Sequence, residues 1–222
     1  MKTIPIGSLY LLLQMLTYVD LDSKKKGYAF ELDNVLYPEK DYLLQVYYLF
    51  ANFIEFTETI PTAEELTSFF KTAYEHHGSK KLFDRAQDAF GIQEKYRSNF
   101  EKLHLTAKLP LKLLMFDQML SLLQQIVVDR KQLFLVAHGN PVEQLNKIRQ
   151  IEWNGLEKYL RVYFAEEIKV ETNKDVLEYI LEKHDLKRKD VLMVGATKKD
   201  KDIATSNGVD YIKVDQFLDS TV

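Results

Sequence analysis

Cysteine is absent from the 222 residues, which excludes disulfides, thiolate-bound zinc and cysteine nucleophiles together. The absence fits a reducing compartment, so a cytoplasmic protein is expected. A strong charge of one sign is missing too: 30 Lys+Arg stand against 33 Asp+Glu, a formal net charge of -3. Without a basic field there is nothing to capture nucleic acid or an anionic membrane surface, and neither is expected as a partner. No apolar run reaches the roughly 20 residues of a membrane span. The nearest approach runs from Ile4 to Val19; Gln14 interrupts it, Asp20 closes it, and no small-x-small cleavage site follows. It is read as a helix that docks on the body or on a second copy, a candidate dimer contact. Internal repeats and low-complexity tracts are lacking as well. What remains is an ordinary globular balance, 46% apolar and 28% charged, at a length that suits one core with an inserted module.

Five short apolar runs read as buried strands: Tyr28–Leu32, Gln132–Ala137, Leu160–Phe164, Val191–Val194 and Tyr211–Val214. Helical stretches separate them. Pro141 to Gln150 follows the Gly139-Asn140 turn, Lys174 to His184 carries Val176, Leu177, Ile180 and Leu181 on one face, and Lys112 to Val128 leads into the second strand. Alternation of this kind predicts an α/β fold, a doubly wound parallel sheet with its ligand crevice beyond the carboxyl ends of the strands. The interval between the first two strands is too long for one crossover. There Asp41 is read as capping a helix through Leu43, Val46, Phe50 and Ile54, and Thr62 with Glu65 forms a capping-box pattern. The expected division is an N-terminal helical extension over 1–27, an α/β core over 28–39 and 106–222, and an all-helical cap over 40–105.

At the end of the first strand Phe30-Glu31-Leu32-Asp33-Asn34-Val35 puts two acidic groups one residue apart, both within reach of the crevice. An acid pair there suits a nucleophile or metal ligand beside an acid/base group, although a bare E-x-D is more often a turn. The segment through Tyr37-Pro38-Glu39 resembles the first motif of the haloacid dehalogenase-like (HAD-like) hydrolases. Phe134 through Pro141 resembles the second, Glu167 through Leu181 occupies the place of the third, and Val191 through Asp200 resembles the fourth. The capped phosphatases of the pyrimidine 5'-nucleotidase and phosphoglycolate phosphatase type are the most similar in pattern.

The resemblance implies an aspartyl nucleophile, an aspartate acid/base, a hydroxyl and a lysine that hold phosphate, and magnesium. Here the nucleophile position holds Glu31, one methylene longer, and the acid/base position holds Asp33. Ala137 replaces the hydroxyl residue, with His138, Gly139 and Asn140 beside it on the substrate side. Glu171 falls where lysine belongs, and Lys169 or Lys174 is the candidate substitute from a neighbouring turn. Ala196 replaces the metal-binding aspartate, while Asp200 is kept at the outer position. The metal set implied is therefore Glu31, Asp33 and Asp200, with Ala196 as the gap. Glu31, Ala137, Glu171 and Ala196 are changed and Asp33 and Asp200 survive, so most of the phosphoryl-transfer apparatus is missing. A displacement of about 1 Å at a reacting atom can alone cost about a hundredfold.

Two expectations follow. The first is a catalytically impaired HAD-like protein that binds a phosphorylated small molecule or a protein partner, or serves as a scaffold. The second is a magnesium-dependent phosphatase for a small phosphomonoester that works with Glu31 and Asp33. Other features read as ordinary: His76-His77 as a solvated helix end, Lys24-Lys25-Lys26 as a solvated turn, Trp153 as packing at the end of the helix after the second strand.

Overall fold

A computed structural model describes residues 15–218. The strands are β1 (Gly27–Glu31), β2 (Gln132–Ala137), β3 (Leu160–Phe164), β4 (Val191–Gly195) and β5 (Asp210–Lys213). They form one sheet of order β3-β2-β1-β4-β5, parallel at every pairing, with Phe30 beside Leu135 and Val194. The strands lie within one or two residues of the apolar runs that predict them. In the three central strands nearly every residue is buried, as a sheet covered on both faces requires. Alternate residues feed different cores. Tyr28, Phe30, Leu133, Leu135, Leu192 and Val194 face one, and Ala29, Phe134, Val136, Val191 and Met193 face the other.

Between β1 and β2 the chain makes α1 (Glu39–Glu58), α2 (Ala63–His77), α3 (Leu82–Phe90) and α4 (Arg97–Thr106), then α5 (Asp117–Val128). An aromatic cluster holds the first four together: Phe100 stacks or tilts against Tyr47, Phe50, Phe70 and Phe83 at centroid distances of 5.0–5.9 Å. The Thr62 capping box forms as its spacing predicts, Oγ1 accepting from the Glu65 amide at 3.2 Å. Asp41 does not cap α1. Pro38 stands at that position and Asp41 lies inside the first turn, because proline suits a helix entry whose amide has no partner. The helix expected from Lys112 begins only at Asp117. Leu113 is held in extended pairing with Ile151, and the Phe116 amide donates to Leu36 O at 2.9 Å, so this stretch serves the sheet end instead.

Beyond β2 come α6 (Pro141–Gln150), α7 (Ala165–Thr172), α8 (Val176–Lys183) and α9 (Lys198–Ser206). The α6 bounds match the sequence reading. Helix α8 starts two residues later than expected because Asp175, not Lys174, caps it, its Oδ1 accepting from the Leu177 and Glu178 amides at 3.0 Å. Helix α7 carries no strong apolar period and follows β3 without a turn. The helix expected over Ile4 to Val19 falls mostly outside the described residues. Within them Met15 to Thr17 are not helical and Tyr18–Asp20 form a single 3-10 turn. Among the described residues no helix is long and apolar enough to cross a membrane.

Candidate functional site

The crevice lies beyond the carboxyl ends of β1, β2 and β4, and the strand ends deliver its side chains. Glu31 ends β1 and is 7% exposed. Burial, then the nearby Asp33 and Asp200 carboxylates, push its carboxyl well above the usual carboxylate range.

Asp33 follows in a tight turn in which Asn34 takes a positive φ of 60° and its amide donates to Tyr37 O at 3.0 Å. The Asp33 carboxylate accepts from three side chains. Its Oδ1 accepts from the Tyr37 hydroxyl at 2.5 Å, and its Oδ2 from the Lys147 ammonium at 2.7 Å and the Gln144 amide at 3.1 Å. Lys147 projects from α6 with its side chain 1% exposed, and its Nζ also lies 3.3 Å from Glu143 and 3.7 Å from Glu39. Burial works against the ammonium, but Asp33, Glu143 and Glu39 outweigh it and raise the Lys147 pKa above its ordinary value. The charge is permanent at any ordinary pH. The Tyr42 ring, 5.1 Å from Nζ, covers another side.

On the other side of β1 the side chains come from β2, α7 and α9. Ala137 is wholly buried at the end of β2 and offers no hydroxyl. His138 points between α7 and α9: its Nδ1 lies 3.2 Å from Lys199 Nζ and 3.8 Å from Glu166, and its Nε2 lies 3.9 Å from Asp200 Oδ1. Burial and then Lys199 lower its pKa, against Glu166 and Asp200, which raise it. Gly139 turns the chain at φ 99° and Asn140 caps α6, its Oδ1 accepting from the Val142 amide at 2.9 Å. Asp200 is 1% exposed, and its Oδ2 takes the Ala196 amide at 3.1 Å and the Thr197 amide and hydroxyl at 2.8 Å each. This carboxylate closes the capping box of α9.

The residues expected to replace the family lysine lie elsewhere. Lys174 pairs with Glu182 of α8, Glu171 is exposed at the end of α7, and Lys169 bonds the Asn173 carbonyl at 3.0 Å. Lys169 does reach the rim of a cavity of about 210 Å³ that His138, Glu166, Asp175 and Lys199 also line. The cation that contacts Asp33 is Lys147, which the sequence reading missed. The sequence carries no local signal for it: Gln144 and Lys147 turn out to be the buried positions of α6, an unusual pair of side chains to face inward.

A family profile for haloacid dehalogenase-like hydrolases matches residues 28–214. The chain belongs to the haloacid dehalogenase-like hydrolases. The solved structures agree at the level of fold. A candidate phosphatase from Clostridium difficile is 20% identical with a TM-score of 0.52, over 90% of this chain and 89% of that one. A HAD-like family hydrolase from Xanthomonas campestris is 13% identical with a TM-score of 0.51, over 90% of this chain and 84% of the other. A candidate HAD-like hydrolase from Bacteroides fragilis is 14% identical with a TM-score of 0.52, over 89% and 90%. No match is found among proteins of curated function.

HAD-like hydrolases generally use magnesium, and the side chains in this crevice do not fit it. Magnesium asks for near-octahedral oxygens from ionised carboxylates. Asp33 already accepts from three donors, Asp200 Oδ2 is taken by the start of α9, and Ala196 has no side-chain oxygen. Among the described residues, as the side chains stand, no three His, Asp or Glu groups converge to hold a metal ion.

Proposed function

We propose that this HAD-like chain keeps the hydrolase fold without its phosphoryl-transfer chemistry and acts by binding, as a partner-binding or scaffold protein. The closure of Asp33 by Lys147, Tyr37 and Gln144 is the observation that carries this reading. A general acid must hold a proton and then release it to a leaving group. A carboxylate that already accepts from an ammonium, a phenol and an amide has three of its roughly four acceptor positions taken by this chain's own donors, which leaves little room for a leaving group. The surroundings are also hostile to a phosphate dianion, since Asp33, Glu39 and Glu143 crowd around one ammonium. In this reading α1–α4 form the cap over 40–105, and the protein works in the cytoplasm. Turnover of a phosphomonoester panel with millimolar magnesium is expected to stay at the buffer background. Robust magnesium-dependent hydrolysis would reject the reading.

One observation favours the second reading, a magnesium-dependent phosphatase. Lys147 supplies a buried cation beside Asp33 that the motif comparison alone counts as lost. That reading makes Asp33 the acid/base group and Glu31 the metal ligand, so that Asp33→Asn abolishes any activity found. Unchanged turnover in this variant counts against that reading.

A further inference from the structure

Charge is spread unevenly over this chain. The turns that enter β1, β2 and β4 meet at the amino end of the sheet, opposite the crevice. Hydrogen bonds fix them to one another. The Lys26 amide donates to Asp190 O at 2.7 Å and the Gln132 amide to Lys26 O at 2.9 Å. Lys25 Nζ donates to Lys189 O at 2.8 Å, and Lys131 Nζ to Ser23 O at 2.9 Å. Lys24 through Lys26, Arg130 with Lys131, and Lys187 through Lys189 thus bring eight cations to one end of the molecule. The same turns and the start of β5 hold five carboxylates, Asp22, Asp129, Asp185, Asp190 and Asp210. Eight against five is an excess of three positive charges, in a chain whose formal net charge is -3.

Most of these carboxylates are already occupied. Asp210 pairs with Lys25 and Asp190 with Lys26, Asp129 accepts from the Tyr18 hydroxyl at 2.6 Å, and Asp22 accepts from the Lys24 amide at 2.9 Å. Lys24, Arg130, Lys187, Arg188 and Lys189 are all exposed, and among the described residues none of them has an ion-pair partner. Adjacent strands stand about 4.8 Å apart, so the cations at their ends repel one another until an anion arrives.

We propose that this end of the sheet is a docking surface for an acidic segment of a partner protein. The inference rests on the reading above only in taking the chain to act by binding, and it names the class of partner. Nucleic acid is the poorer fit. Glu178 and Glu182 of α8 line an open hollow of about 700 Å³ together with Leu186, Lys187, Arg188 and Lys189. These glutamates repel a continuous row of phosphates. A peptide can set carboxylates against the cations and an apolar side chain against Leu186, which is how protein surfaces of mixed charge select partners. A flat anionic bilayer cannot enter the hollow.

The test is fluorescence anisotropy of the full chain with a labelled peptide of ten glutamates, at about 50 mM and about 250 mM NaCl. Saturable binding is expected at low salt, at least tenfold weaker at high salt. Lys187→Glu, Arg188→Glu and Lys189→Glu together are expected to weaken it at least tenfold, and so are Lys24→Glu and Arg130→Glu, which lie on the other turns. The control reverses the exposed Lys71, Lys80 and Lys102 of the inserted helices to Glu, and it is expected to bind within about twofold of the wild type. Circular dichroism checks that each variant is folded, and either patch variant suffices for the comparison. No saturable binding by the wild type overturns the proposal. Equal losses in patch and control variants do so as well, since net charge alone then explains the binding. Tighter binding of a single-stranded oligonucleotide or of phosphatidylserine vesicles than of the peptide also rejects it. A failure here leaves the turnover result untouched, because the patch and the crevice lie at opposite ends of the strands.

Discussion

His104 shows how burial fixes a charge state at a single residue. It stacks edge-on against Phe100 at 4.9 Å and Tyr47 at 5.7 Å. Burial, with Lys147 adding to it, lowers its pKa from 6.5 to about 4. The unfolded chain therefore takes up the proton first as the pH falls. The stabilisation is complete above about pH 6.5 and is lost between there and about pH 4, in total about 3 kcal/mol. His104→Gln removes the titration. Denaturant melts at pH 7 and pH 4.5 are expected to show a larger loss for the wild type than for the variant, and parallel losses would refute the assignment. At this scale the sequence was only partly legible. Glu31, Ala137 and Ala196 stand at strand ends and could be located by their neighbours in the chain. Lys147 could not, because the contact with Asp33 joins residues 114 positions apart and is made only when α6 packs behind the turn after β1. Alignment to a lysine motif looks for the cation after β3 and finds Glu171 there.

At the level of the element, the capping boxes of two α-helices do unequal work. Thr62 with Glu65 caps α2 at the surface, and Thr197 with Asp200 caps α9 inside the crevice. Thr62→Ala is expected to cost about 1 kcal/mol, the ordinary value for a lost cap. Asp200→Ala removes a buried carboxylate that accepts three hydrogen bonds and strands two amides, so it is expected to cost about 2–4 kcal/mol. Urea unfolding of both variants checks the order, and an equal or reversed cost would show that Asp200 is not the structural cap described. The fit is close: a Cβ built at Gly195 would stand 2.5 Å from the Asp200 Cβ. Local sequence rules serve well where both ends of an element are chemically marked. Asn140-Pro141 opens α6, and its bounds could be read directly. They fail where a distant partner decides. Helix α5 starts late because Leu113 and Phe116 pair with Ile151 and Leu36, and no property of residues 112–116 announces it.

On the scale of the whole molecule, one apolar cluster runs from the sheet into the inserted helices. Leu135 and Val194 of the sheet belong to the same cluster as Phe50, Phe70 and Phe100 of the insert. The fold class could be read from strand and helix alternation because that pattern is set by burial on both faces of the sheet. The continuity of the core could not, since it depends on how α4 lies against α1 and α6. Phe100→Ala is expected to cost about 3–5 kcal/mol, the range for deleting a buried aromatic ring. Since the cluster is shared, calorimetry of this variant should show a single transition shifted downward. A separate early transition for the inserted helices would contradict the shared core.

The sheet also has two margins. Strand β3 spans five residues with the exposed Arg161 near its middle, and β5 spans four, flanked by the exposed Asp210 and Lys213. A foreign strand that tried to lengthen the sheet would find a short run of free amides guarded by charge. Recruitment of further copies into fibrils along these borders is a poor route for this chain.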